Sequence, residues 1–288
     1  MSSFRAAAIQ MRSGTDPEAN AADLATYVAD AAGQGAVYVQ TPEMTGSLQR
    51  DRKALASVLK SESDDIIVRT ASELAAKHGI HLHIGSTAIA RDDGKIANRA
   101  FLFGPDGNIL TRYDKIHMFD VDLDNGESWR ESAVYAPGAD TVVIDLPFAR
   151  LGLAICYDVR FPQLFRAQAL AGASVISAPA AFTRQTGEAH WHVLQRARAI
   201  ENGAFMISAA QGGVHEDGRE TYGHSIIVAP WGEVLAEADH AEPAVIVADI
   251  DPALSAAART KVPNLKNARP FGVVVENDGQ ATRFNAAS

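Results

Sequence analysis

Short apolar runs alternate down this chain with stretches whose apolar residues recur at helical spacing, and that alternation limits the fold more than any other feature. FRAAAIQM (4–11) reads as a buried first strand. Asp16 then stands as an N-cap and Pro17 at the first helical position. Leu24, Val28, Ala31 and Ala32 keep helical spacing until Gly33 and Gly35 end the run. AVYVQTPE (36–43) is a second strand, residues 64–78 carry a helical pattern closed by His78 and Gly79, and IHLHIGSTAIA (80–90) is strand again. Asp93-Gly94 and Asp106-Gly107 punctuate IANRAFLFG and ILTRYDK, which marks consecutive antiparallel hairpins.

The second half repeats this grammar. TVVIDLP (141–147) and LGLAICYD (151–158) are strands, a helix begins near Phe161 and ends at Gly172, and SVISAPAAF (174–182) is strand. HWHVLQRARAIENG (190–203) is helical, and AFMISAAQ, GHSIIVAP, VLAEAD and AVIVADI supply the remaining strands. Strand–helix alternation mixed with hairpins predicts an α/β chain in which helices cover mixed sheets. With 288 residues, 47% of them apolar, the chain is near the upper size for one core, so one large domain or two fused halves are expected. Residues 274–288 are polar and Ala-rich and predict a loose tail, or an arm lying on a partner.

Charge and composition exclude several classes. Acidic residues outnumber basic ones by 35 to 26, and no basic block follows a phosphate backbone, so nucleic acid is not an expected partner. The longest uncharged stretch, between Arg166 and Arg184, is interrupted by Gly172, Ser174, Ser177 and Pro179, so no membrane span is expected. The start MSSFRAAAIQ lacks the order of a signal peptide, and a single cysteine makes no intramolecular disulfide, which together predict a cytoplasmic protein.

Chemistry in open α/β sheets gathers at the carboxyl ends of strands. Three reactive side chains fall at such ends: Glu43 closes AVYVQTPE, Lys115 closes ILTRYDK, and Cys156, the one cysteine, closes LGLAIC. Singly, each has a plainer reading: Glu43 and Lys115 as solvated charges, Cys156 as a small core hydrophobe. Together they make a complete machine. A thiol with a pKa near ~8.5 needs a base or a cation beside it to act as a nucleophile. Glu43 can take the proton if burial raises its pKa, while Lys115 and the backbone N–H of Tyr157 can hold the oxyanion that forms when sulfur attacks a carbonyl.

Arg160 offers a planar guanidinium to a substrate carboxylate, or an ion pair to Asp158. A base drawn from the nine histidines is the alternative partner for Cys156. His81 and His83 share a strand face without a third ligand and read as packing residues, while His190 and His192, two apart on a helix, point away from each other. There is no HExxH, no CxxC and no GxxxxGK[ST]; Gly33-x-Gly35 lacks the context of a dinucleotide loop, and Gly212-Gly213 reads as a turn.

PE (42–43), DKIHMFD (114–120), ES (131–132) and ICYDVRFP (155–162) together resemble the nitrilase superfamily of carbon-nitrogen hydrolases, in family order from IQM to ARPFG. The resemblance implies a four-layer α-β-β-α sandwich with two mixed sheets, a hydrolase domain over 1–273 followed by the tail 274–288. It also implies a homodimer or higher homo-oligomer joined through the helices flanking Cys156. It carries a Glu-Lys-Cys triad onto Glu43, Lys115 and Cys156, and a second glutamate onto Glu131. It implies no metal and no organic cofactor, since a covalent thioester divides the reaction into two easier steps.

AAFTRQTGEAHWHVLQRARAIENG (180–203) is similar to the same segment of the family's omega-amidase and deaminated glutathione amidase branches, where the positions of Arg160, Phe182 and Thr186 line the acyl pocket. RFPQL (160–164) and Gln211, His215 and Tyr222-Gly223-His224 lean to the second branch. The expected substrate is therefore the amide of deaminated glutathione, although Gly212-Gly213 gives little to hold a peptide leaving group. The alternatives are an omega-amidase acting on 2-oxoglutaramate, an N-carbamoyl amino acid hydrolase, or a nitrilase-like scaffold that binds partners without catalysis.

Overall fold

A computed structural model describes residues 2–123, 126–277 and 280–285. A seven-stranded sheet runs in the order Ala244–Ile250, Phe4–Gln10, Tyr38–Gln40, His81–Ala90, Ile96–Phe103, Ile109–Asp114, with Lys60–Ser61 paired beside His81–Ala90. Phe4–Gln10, Tyr38–Gln40 and His81–Ala90 are parallel neighbours, Lys60–Ser61 is parallel to the last of them, and Ala244–Ile250 and Ile96–Phe103 flank the three antiparallel. A six-stranded sheet has the same plan, with Arg150–Leu153, Val175–Ser177 and Phe205–Ser208 parallel at its centre.

Alternation along the first strand sorts side chains between two layers. Ala7 and Ile9 face the helices Pro17–Gly33 and Ile66–His78, where they meet Leu24, Val28, Ile67 and Leu74. Ala6 and Ala8 face the opposite way, into a core shared with Leu151, Leu153, Val175 and Ile207 of the second sheet. Phe165 and Trp191, from the helices Pro162–Leu170 and Arg184–Asn202, belong to that same core. The result is the α-β-β-α sandwich of two mixed sheets. Several of its helices start where side chains satisfy the free N–H groups: Asp16 caps Glu18, Asp65 caps Ile67 and Val68, and Thr183 caps Thr186.

Several strands are shorter than their apolar runs predict. The second strand stops at Gln40, so Glu43 lies beyond the sheet rather than at its end. Thr41 and Pro42 cross over Gly85, where a Cβ would collide with the Thr41 carbonyl and lie 2.6 Å from that of Pro42. The register break between Ile84 and Thr87 sits at the same place. LGLAICYD is strand only to Leu153; Cys156–Arg160 is a 3₁₀ turn. SVISAPAAF is strand only over Val175–Ser177, with Ala180 bridging Ala210 beyond it. The helix expected over 190–203 begins at Arg184, and a helix at Ala253–Lys261 has no counterpart in the sequence reading.

The expected loose tail is, over its described residues, an antiparallel hairpin of Gly272–Asn277 with Gln280–Asn285, which begins before the 273/274 boundary. Residues 278, 279 and 286–288 of that stretch lie outside the described residues.

Candidate active site

Glu43, Lys115, Glu131 and Cys156 meet at one wall of a cavity of about 350 Å³. Lys115 Nζ donates to Glu43 Oε1 at 2.8 Å and to both Glu131 oxygens at 3.0 and 2.8 Å. The Glu43 carboxylate also accepts from the Ala181 N–H at 3.0 Å and lines the cavity with Cys156. Lys115 and Glu43 are almost wholly buried, with side chains 2% and 6% exposed.

Asn98 ties the two carboxylates together, donating from Nδ2 to Glu43 at 2.9 Å and to Glu131 at 3.0 Å. Its position in Ile96–Phe103 puts it beside the strand leading to Lys115, whose N–H bonds the Asn98 carbonyl. Sequence reasoning missed Asn98, because an amide inside a strand pattern carries no reactive signature.

The nucleophile candidate is held by backbone geometry. Cys156 has φ 48°, in the left-handed region that a side chain with a Cβ seldom adopts, and its N–H bonds the Pro179 carbonyl at 2.8 Å. Met44, next to Glu43, is left-handed too, with φ 57°. Strain of this kind, of order 1–3 kcal/mol per residue, persists only where the surroundings over-determine it. At Cys156 the holding group is Asp158, fully buried, which accepts from Ile155 N, Tyr113 Oη and His117 N and pairs with His117 Nδ1 at 2.7 Å. Those bonds tie the turn to the segment carrying Lys115. Asp158→Ala leaves several buried donors unsatisfied and should lower stability by about 3 kcal/mol, read from urea unfolding; a loss under ~0.5 kcal/mol would contradict this role.

Electrostatics correct one expectation. Burial alone pushes the Glu43 carboxyl up. The Lys115 ammonium, with hydrogen bonds from Lys115, Cys156 and Asn98, outweighs burial and holds Glu43 below the ordinary carboxylate range rather than raising it. Burial lowers Lys115, but Glu131 and Glu43 together raise it well above its usual value. Burial and the Glu43 charge push the Cys156 thiol well up against the pull of Lys115. The resting state at neutral pH is thus carboxylate, ammonium and thiol.

The remaining candidates line the same cavity. The Tyr157 N–H makes no hydrogen bond among the described residues and follows Cys156 directly. Phe182 packs edge-on against Trp191, and Thr186 bonds Thr183 at 2.9 Å. Arg160 lies over the Phe182 ring at 5.2 Å and touches His190 Nδ1 at 3.2 Å. It does not pair with Asp158, whose oxygens are taken, and it meets no carboxylate among the described residues.

Among the described residues no histidine lines the cavity. His83 bonds Tyr38 in the core, and His81 packs edge-on against Phe148, so the two do not converge. His192 turns instead to Glu237, beside His224. Gly212 and Gly213 pack against residues 240 and 241, away from the cavity. Among the described residues, six cations line it against two carboxylates: Lys115 with Arg50, Arg52, Arg130, Arg160 and Arg219. In a protein of net charge −9, that sign reversal marks a site for anionic ligands.

Among the described residues no helix is long and apolar enough to cross a membrane. Residues 5–260 match the family model described as carbon-nitrogen hydrolase. The chain is 36% identical over 278 residues to the omega-amidase NIT2 of Homo sapiens, covering 96% of this chain and 99% of that one. It is 39% identical over 240 residues to the deaminated glutathione amidase of Yersinia enterocolitica, covering 82% and 83% of the two chains. Among solved structures it resembles Saccharomyces cerevisiae Nit3, a member of branch 10 of the nitrilase superfamily. That likeness has a TM-score of 0.82 at 30% identity and covers 91% of this chain and 95% of that one. With its fold, cavity and sequence in agreement, this chain belongs to the carbon-nitrogen hydrolase family.

Proposed function

We propose that this chain is an amidase that hydrolyses an amide of a short 2-oxo dicarboxylic acyl chain through a thioester on Cys156, with deaminated glutathione as substrate. The observation that carries the reading is a buried carboxylate, ammonium and thiol at one wall of a cavity that also presents Arg160 with no carboxylate of its own. Arg160 clamps the carboxylate of the acyl chain, and Phe182 and Thr186 bound that chain.

The Cys156 proton passes to Glu43 as sulfur bonds the carbonyl carbon, since the resting thiol is not ionised. Lys115 Nζ and the Tyr157 N–H hold the oxyanion. Glu43 returns the proton to the departing nitrogen, the carbon–nitrogen bond breaks, and a thioester remains. Water then gives a proton to Glu43 and its oxygen to the acyl carbon; the acid leaves and the thiol is restored. Glu131 and Asn98 hold Lys115 and Glu43 in place.

An amine- and ammonia-release screen over deaminated glutathione, 2-oxoglutaramate, N-carbamoyl amino acids and nitriles, with Cys156→Ala as blank, tests the assignment. Preferred cleavage of deaminated glutathione supports it. Efficient turnover of 2-oxoglutaramate alone replaces it with omega-amidase activity, and no turnover at all supports a binding scaffold. The pH profile is a second check. Glu43 must be ionised and sits below its ordinary pKa near 4.5, while Lys115 and Cys156 must be protonated and both sit above their ordinary values. A plot of kcat/KM should be flat between about pH 6 and 9 and fall on acidification below that range. A limb near pH 6.5 would instead indicate a histidine base.

We also propose a cytoplasmic homodimer or higher homo-oligomer, because a reducing medium preserves the free thiol and the helices Pro162–Leu170 and Arg184–Asn202 expose Leu170, Val193 and Ile200. Light scattering should give at least twice the 30.6 kDa chain mass; a monomer at micromolar concentration would contradict it.

A further inference from the structure

We propose that the cavity continues beyond Glu43 into a second anion subsite, formed by Arg219, Arg50 and the Trp129 ring, which takes a carboxylate on the amine half of the scissile amide. This deepens the amidase reading and rests on it. Both guanidinium carbons lie against the one indole, Arg50 at 4.5 Å and Arg219 at 4.7 Å from the ring centroid. Two like charges on a shared ring repel each other, and among the described residues the one carboxylate in ion-pair contact with either is Asp217, at 3.1 Å from Arg219. The Arg219 side chain is only 12% exposed, and its buried Nε has no hydrogen-bond partner. Asp217 holds the guanidinium from one side at Nη2, the Trp129 ring lies against it, and no second carboxylate pairs with it among the described residues, although Arg219 lines the cavity. Arg50 meets no carboxylate among the described residues and stands at the solvent side of the same cavity.

Position assigns this subsite to one half of the substrate. The departing nitrogen must take its proton from Glu43, so the amine half lies on the Glu43 side. Arg50 stands on the segment that follows Glu43 and shares the Trp129 ring with Arg219, whereas Arg160 ends the Cys156–Arg160 turn and lies over Phe182. Arg160 therefore serves the acyl half, and Arg219 with Arg50 serves the amine. Ammonia needs no such subsite; an amino-acid or dipeptide amine with a terminal carboxylate does.

The test compares two amides in the full chain: deaminated glutathione and its twin whose terminal carboxylate is a carboxamide. The wild type should favour the carboxylate by about tenfold or more in kcat/KM, and Arg219→Met and Arg50→Met should each reduce that ratio by about tenfold, mainly through KM. Arg50 is exposed, so Arg50→Met decides the matter if Arg219→Met does not fold. Equal cleavage of both amides by the wild type, or a ratio unmoved in Arg50→Met, overturns the subsite alone. Cleavage of neither overturns the amidase reading and the subsite together.

Discussion

Lys115→Met should reduce kcat/KM by at least about a thousandfold and stability by about 3–5 kcal/mol. Both effects come from one contact set. The ammonium bonds Glu43 and Glu131 at 2.8 to 3.0 Å, and Asn98 joins the same two carboxylates. Without the cation, two buried carboxylates face each other across one amide, and one of them must take a proton. The base is then blocked and the oxyanion loses its strongest donor.

Linkage gives this a pH signature. Glu43 is held below its unfolded value, so its contribution is full above that value and fades as pH falls through the folded one. Lys115 is held above its unfolded value, so its contribution is full below about 10.5 and fades as pH rises through the folded one. In the variant the acid limb of kcat/KM should move up in pH. A merely structural lysine would lower stability without moving that limb.

Glu43→Gln keeps the shape of the side chain and removes the base, and turnover should fall by about a thousandfold or more. The thiol should respond in the opposite sense. Because the Glu43 charge is one of the groups that raise Cys156, its removal should lower the thiol pKa, so alkylation by iodoacetamide should begin at lower pH than in the wild type. Faster ionisation with slower hydrolysis separates a proton carrier from a group that only packs. Near-normal turnover would favour a histidine base, although among the described residues no histidine lines the cavity.

The residues proposed to do the chemistry were legible because their types are unusual where they occur: an acid, a lysine and a thiol after apolar runs. Glu131 was legible only through the family resemblance, since a charge in a loop carries no signal alone. Asn98, Trp129, Arg50 and Arg219 were not legible, because neutral or surface-like side chains gain meaning only when folding gathers them at one wall. Element boundaries failed for local reasons. The runs to Glu43 and Asp158 read as strand, yet the crossing over Gly85 and the left-handed Cys156 end the sheet earlier. The helix starting at Arg184 was hidden by Gly187 in its first turn. A Cβ there would strike the Tyr222 ring, so the glycine is kept for close packing against a strand. The terminal hairpin was masked by an Ala-rich, polar composition that carries little strand signal.

The claim beneath all of this is that Cys156 forms a covalent acyl intermediate with the carboxylate and ammonium beside it. Acid-quenched protein caught during turnover of deaminated glutathione, weighed intact by mass spectrometry, should carry the mass of the 2-oxo acyl half on the peptide containing Cys156, and Cys156→Ala should carry none. Undiminished hydrolysis by Cys156→Ala, or a steady state with no acyl adduct even when Glu43→Gln slows its hydrolysis, would contradict it.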